Sequence, residues 1–197
     1  MTVEHLIALA LFAFVSSITP GPNNLMLMAS GANFGFRRTI PHMLGVALGF
    51  VFMFLLLGAG LVRAFDTYPG LYTGLKVLSI VYLLYLAWKI AHSAPVHGTT
   101  AAGDPLTFLQ AAAFQWVNPK AWAMALNAIS AYTPNQSMAA VVLAASLFGA
   151  INLPSVGSWT ILGKQMTRVL TNPGRMVAFN RTMAALLVLS LYPVLAP

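Results

Sequence analysis

Six stretches of mainly apolar residues, covering about 4–29, 42–63, 70–91, 107–131, 137–162 and 177–196, account for most of this 197-residue chain. A bilayer core about 30 Å thick is crossed by about 20 apolar residues in a helix. Lipid offers no partner to loose backbone, so only helices and closed barrels span it. Runs of this length select helices. Hydrophobic residues make up 59% and charged residues 7% of the chain, where a soluble domain carries roughly 45–50% and 25%. The expected fold is therefore an all-α membrane protein, a single transmembrane domain of six helices.

Ten Lys and Arg oppose three acids, for a net charge of +7. The bases stand singly or in pairs between apolar runs and form no stripe that could follow a phosphate backbone, so nucleic acid is not an expected partner. They report orientation instead. The first, third and fifth joints with their flanks hold Arg37, Arg38, Lys89, Lys164, Arg168, Arg175 and Arg181, against Arg63 and Lys76 on the other side. Short basic loops stay in the cytoplasm, which places both termini on the non-cytoplasmic side. The amino-terminal "MTVEH" has Glu4 and no Lys or Arg, so the first apolar run is expected to be a retained span.

That first run is interrupted near its middle by "TPGPNN", residues 19–24. Pro20 and Pro22 remove amide donors and free backbone carbonyls, and Gly21 permits a bend or a close approach. In lipid such a break is tolerated only when buried in protein or lining a wet cavity. Asn23 and Asn24 add uncharged donors and acceptors, and a helix restarting there offers its amide end to a carboxylate.

A second break, "QWVNPKAW", interrupts the fourth run with Gln115, Asn118, Pro119 and Lys120. An ionisable group at membrane depth is by default functional. Two readings of Lys120 stay open: it pairs with a substrate carboxylate or changes protonation during transport, or it snorkels to the headgroups. A third, weaker break is expected at Asn152-Leu153-Pro154-Ser155 in the fifth run, where Asn152 and Ser155 either line the same cavity or serve as helix-packing polar groups. Gly45 and Gly49 form a GxxxG read as a helix contact.

The two principal breaks occupy corresponding places. A shift of 99 residues lays Thr19-Pro20 on Asn118-Pro119 and Gly58 on Gly157, and a shift of 104 lays "YPG" (68–70) on "NPG" (172–174). A duplicated unit of three helices inserts its second copy upside down. The expectation is a 3+3 inverted repeat with broken helices one and four, repeat one over about 1–92, a cytoplasmic linker over about 93–105 and repeat two over about 106–197. In such carriers the substrate site lies near the midplane, built by the broken helices.

The exclusions are equally informative. Glu4, Asp66 and Asp104 fall outside the spans, which disfavours an acidic proton relay or a basic substrate. His5, His42, His92 and His97 fall in joints or helix ends with no metal-ligand spacing, so neither a metal site nor a serine-protease arrangement is expected. There is no cysteine for thiol chemistry. No cofactor and no enzymatic activity are expected. A non-catalytic scaffold subunit is the alternative, but it has little reason to carry matching polar breaks.

Together "TPGPNN", the following "GANFGFRRT", the spaced Gly45 and Gly49 and the "NPKAW" resemble the LysE/RhtB family of bacterial amino-acid exporters over essentially the whole chain. "TPGPNN" looks most like the branch that exports cysteine, O-acetylserine and other small neutral amino acids. The resemblance implies a secondary transporter in the bacterial inner membrane, exporting such a substrate by proton antiport. Carried over, it singles out Pro20, Gly21, Pro22, Asn23, Asn24, Asn118, Pro119 and Lys120; Gln115, Asn152 and Ser155 are added from the residue chemistry. A homodimer is left open. The expected mechanism is alternating access, with the substrate carboxylate held by the amides of the first break and by Lys120, and its ammonium met by freed carbonyls near Pro20.

Overall fold

The structure, a computed structural model, describes residues 1–68, 70–93, 104–133 and 137–195. Most of the expected linker, residues 94–103, and His97 with it, lie outside the described residues. Every regular element among the described residues is helical. The chain runs as α1 (Val3–Ile18), α2 (Pro22–Leu56), a π-turn (Leu57–Leu61), α3 (Val62–Thr67), α4 (Gly70–Ala91), α5 (Phe108–Phe114), a 3-10 turn (Gln115–Val117), α6 (Pro119–Tyr132), α7 (Met138–Met166), α8 (Pro173–Leu189) and α9 (Tyr192–Leu195).

Both expected principal breaks are present. The first run divides into α1 and the start of α2, and the fourth into α5 and α6. Each restart uses proline at the first helical turn, where no amide donor is lost. Asn118 caps α6 by accepting from the Lys120 amide at 3.1 Å, as Asn172 caps α8 by accepting from Gly174 at 2.8 Å. Three helical stretches have the length and hydropathy to cross a membrane by themselves: Pro22–Thr67, Gly70–Ala91 and Met138–Met166. The six runs are thus not six uninterrupted helices, because the breaks split two of them and α8 has 17 residues.

Two expectations are corrected. The joint "ANFGFRRT" is helical on both sides of one residue, Gly35, at φ 77°, ψ 170°. Only glycine occupies that region without strain, so a single residue turns the chain. Thr39 Oγ1 donates to the Gly35 carbonyl at 2.8 Å and bonds Ser30 Oγ at 2.9 Å, clamping the turn. The second correction concerns Pro154, which lies inside the continuous helix α7, so the third break does not form. Pro119 also stands alone, but Asn118 before it caps the restarted helix with its side chain, whereas Leu153 before Pro154 has no capping atom and the helix runs on.

α7 lies along α2 at a distance only glycine permits. A Cβ on Gly31 would run into the Thr160 carbonyl, and one on Gly163 into that of Met28. Gly45 and Gly49 receive α5 at Phe108, Ala111 and Ala112, the helix contact expected of the GxxxG. α4 packs against α8, and α1 against α7. Outside, Ile7, Leu11, Phe14, Phe52, Val77, Val81 and Trp88 are each more than half exposed. An apolar exterior this extensive belongs in lipid, and the chain is an integral membrane protein.

Candidate functional site

The break between α1 and α2 frees the carbonyls of Ser16 and Ile18, whose helical donors would be Pro20 and Pro22, and those of Ser17, Thr19 and Pro20 as the chain straightens. Each has a named donor. Thr19 Oγ1 donates to Ser16 O at 3.0 Å, Asn24 Nδ2 to Ser17 O at 2.8 Å and to Thr19 O at 2.7 Å, and Trp159 Nε1 to Ile18 O at 3.1 Å. Lys120 Nζ donates to Thr19 O at 2.7 Å, Thr19 Oγ1 at 2.9 Å and Pro20 O at 3.2 Å. The lysine thus reaches back to the first break. Its ammonium occupies the carbonyls that the expected mechanism reserved for the substrate's ammonium, and its stem lies across Gly21, where a Cβ would sit 2.6 Å from Lys120 Cδ.

The two breaks also bind each other side chain to side chain. Asn23 Nδ2 donates to Gln115 Oε1 at 2.9 Å, and Gln115 Nε2 returns a bond to Asn23 Oδ1 at 3.2 Å while donating to Ala111 O at 2.9 Å. In the second break, Asn118 N donates to Gln115 O at 3.3 Å and Trp122 Nε1 to Trp116 O at 2.8 Å. Each break thus has one carbonyl satisfied by an indole.

Between the breaks lies a cavity of about 20 Å³ lined by Ser16, Ser17, Gly21, Asn23, Asn24, Phe50, Gln115, Asn118, Lys120, Ala121, Met124, Asn152 and Val156. A single water needs roughly 10–15 Å³, so the cavity has room for little more than one. Its polar lining is made of amides, hydroxyls and one ammonium. Asn152 Nδ2 donates to Ser17 Oγ at 3.1 Å, while Asn152 Oδ1 is buried without a donor among the described residues. The amino end of α2 has no side-chain cap.

Of the residues expected from sequence, Gly21, Asn23, Asn24, Gln115, Asn118, Lys120 and Asn152 line this cavity. Pro20, Pro22 and Pro119, again with Gly21 and Lys120, line a larger groove of about 760 Å³ on the other side of the break. Lys120 and Gly21 form the wall between them. Ser155 is buried but outside the cavity lining, its Oγ donating to Ile151 O at 2.9 Å within its own helix. The sequence reasoning missed Ser16, Ser17, Thr19 and Trp159. Hydroxyls directly before a proline break, next to carbonyls it must free, are the signal that pointed to the first three; nothing local marks Trp159.

A polar pocket held between two mutually bonded helix breaks, inside an apolar exterior, is the kind of site a membrane carrier uses. The chain belongs to the LysE type translocator family, whose model matches residues 14–190. It is similar to the cysteine/O-acetylserine efflux proteins of Escherichia coli (strain K12) and Salmonella typhimurium (strain LT2), each 30% identical over 191 residues, 95% of this chain and 96% of theirs. That of Klebsiella pneumoniae is 28% identical over 190 residues, 95% of both chains. No solved structure matches. Family membership makes this chain a transporter and not an enzyme, which sets the scaffold alternative aside.

Proposed function

We propose that this protein exports a small neutral amino acid of the cysteine/O-acetylserine or homoserine/threonine kind from the cytoplasm, across the bacterial inner membrane, in exchange for protons. The efflux relatives at 28–30% identity support the substrate class. The observation that carries the reading is the Lys120 ammonium on the Thr19 and Pro20 carbonyls at the wall of the cavity. A zwitterion brings a carboxylate and an ammonium a few atoms apart. Its carboxylate draws Lys120 off the carbonyls, and its ammonium takes the places vacated. The amides at the uncapped start of α2 and Asn152 Oδ1 supply one further donor set and one further acceptor. A neutral side chain suits the remaining lining of Phe50, Ala121, Met124 and Val156.

The six runs then act as a 3+3 inverted repeat with both termini outside, rocking about this site. Like elements meet in support of that: the two breaks bond each other, and α4 packs on α8 and α2 on α7. Counterflow in proteoliposomes across cysteine, O-acetylserine, homoserine, threonine, lysine and glutamate tests the reading. Small neutral amino acids are expected to exchange; lysine as the dominant substrate overturns it.

A further inference from the structure

The structure holds a second polar cavity that the substrate site leaves unused. His42, on α2 beyond the Gly35 turn, is 1% exposed, and both its ring nitrogens are buried without a hydrogen-bonding partner among the described residues. A neutral imidazole presents one donor and one acceptor. Leaving both unmade is rare in native proteins and asks for an explanation such as water or a functional role. His42 lines a cavity of about 50 Å³ with Met26, Ser30, Asn33, Lys89 and Asp104 among its neighbours. At roughly 10–15 Å³ per molecule there is room for about three waters, enough to join the ring to the polar rim.

The charges facing that cavity are few. α4 contributes Lys89, and the segment before α5 contributes Asp104, whose carboxylate is 85% exposed and paired with Arg38 at 2.7 Å. The first limb of α2 offers only Ser30 and Asn33 as polar lining, and α8 meets that limb through neutral Asn180, bonded to Asn33 at 2.8 Å. α7 meets the first limb of α2 through Thr160 against Gly31 and the second limb through Gly157 against Met43, all uncharged. Among the described residues no other titratable side chain lines the cavity.

The same limb of α2 lines both cavities: Asn23 and Asn24 face the substrate pocket, while Met26, Ala29, Ser30 and Asn33 face that of His42. Asn24 and Ser30 are six residues apart, about 9 Å along a helix. A change in either cavity therefore acts on the helix that walls the other.

We propose that His42 is the group that binds and releases the transported proton. The inference rests on the proton antiport proposed above. In the outward-open state a ring nitrogen with a free lone pair takes a proton and the N–H bond forms; in the inward-open state that bond breaks and the proton passes through the cavity water, past Ser30, Asn33 and Lys89, to the cytoplasm. Amino acid leaves as the proton enters, and no other reactant is needed.

The test separates coupling from transport in proteoliposomes loaded with labelled cysteine held reduced. His42→Gln is expected to reduce accumulation driven by a pH gradient at least tenfold and to abolish cysteine-elicited proton flux. Gradient-free counterflow stays within about twofold of wild type. Retained gradient-driven accumulation in this variant overturns the assignment and leaves the export reading standing. Counterflow by the wild type with no response to a pH gradient overturns the antiport reading and this inference together. Should His42→Gln not fold, a chain carrying His5→Gln, His92→Gln and His97→Gln keeps His42 as the sole histidine for nitrogen-15 NMR. Ring signals that titrate and shift on adding cysteine support the assignment; signals fixed between pH 5 and pH 9 while transport remains gradient-driven overturn it.

Discussion

Replacing Lys120 with methionine preserves most of the stem that lies across Gly21 and removes only the ammonium. Thr19 O keeps its bond from Asn24 Nδ2, but Pro20 O is left with no donor among the described residues. An unsatisfied buried carbonyl costs about 1–3 kcal/mol. Pro20 is exposed to the groove side, so the lower end applies, about 1 kcal/mol. For a chain of this length that lowers the apparent unfolding midpoint by roughly 2–4 °C. The effect on substrate is larger, because a hydrogen bond to a charged group contributes about 1.5–3 kcal/mol, equivalent to roughly 10- to 150-fold in apparent affinity. Counterflow at graded cysteine concentrations, beside thermal unfolding in detergent, measures both. Lys120→Arg, which retains donors, should recover much of the stability and less of the affinity. Exchange within twofold of wild type for Lys120→Met, with an unmoved midpoint, would refute the partner exchange.

Other positions give independent checks. Gly35→Ala places a side chain at φ 77°, ψ 170° with nothing nearby to clash, so its loss of about 1–3 kcal/mol is conformational, and an unchanged unfolding midpoint would deny the turn. Gly163→Ala drives a methyl into the Met28 carbonyl and should cost about 1–3 kcal/mol by overpacking; Gly174→Ala, whose nearest neighbour is 3.3 Å away, is the milder control in the same assay. The Asn23–Gln115 pair should show a coupling of about 0.6 kcal/mol, and at most about 1.7, in a double-mutant cycle; zero coupling would mean the breaks fold independently. Asn152→Leu removes both the bond to Ser17 and the free acceptor, and is expected to raise the half-saturating substrate concentration by more than about tenfold if that acceptor contributes a charge-assisted bond.

The helical class and the two breaks were legible because they follow from local chemistry: a bilayer demands uninterrupted apolar runs, and proline cannot donate. Asn23, Asn24, Gln115 and Asn118 line the cavity by the same logic, since polar amides beside a break have nowhere else to go, whereas Asn152 lines it from an unbroken helix. What stayed hidden depends on partners far along the chain. Nothing around Lys120 shows that it reaches back 101 residues to Thr19, and nothing around Trp159 shows that its indole serves Ile18, 141 residues earlier. The joint at "ANFGFRRT" was legible, but not that Gly35 turns it alone, because a turn that one glycine makes leaves no run of turn-forming residues. Pro154 and Ser155 carry the letters of a break without its cap: Leu153 stands where Asn118 precedes Pro119.

The satisfaction of the first break also sets a timetable for biosynthesis. When residues 1–29 leave the ribosome, the carbonyls of Ile18 and Pro20 have no donor of their own, because Trp159 and Lys120 have yet to be made. Lipid does not tolerate that backbone bare. The opening segment must wait in a hydrated setting, at the translocon or the membrane surface, until the second half of the chain arrives, so that its insertion is completed by residues more than a hundred positions downstream.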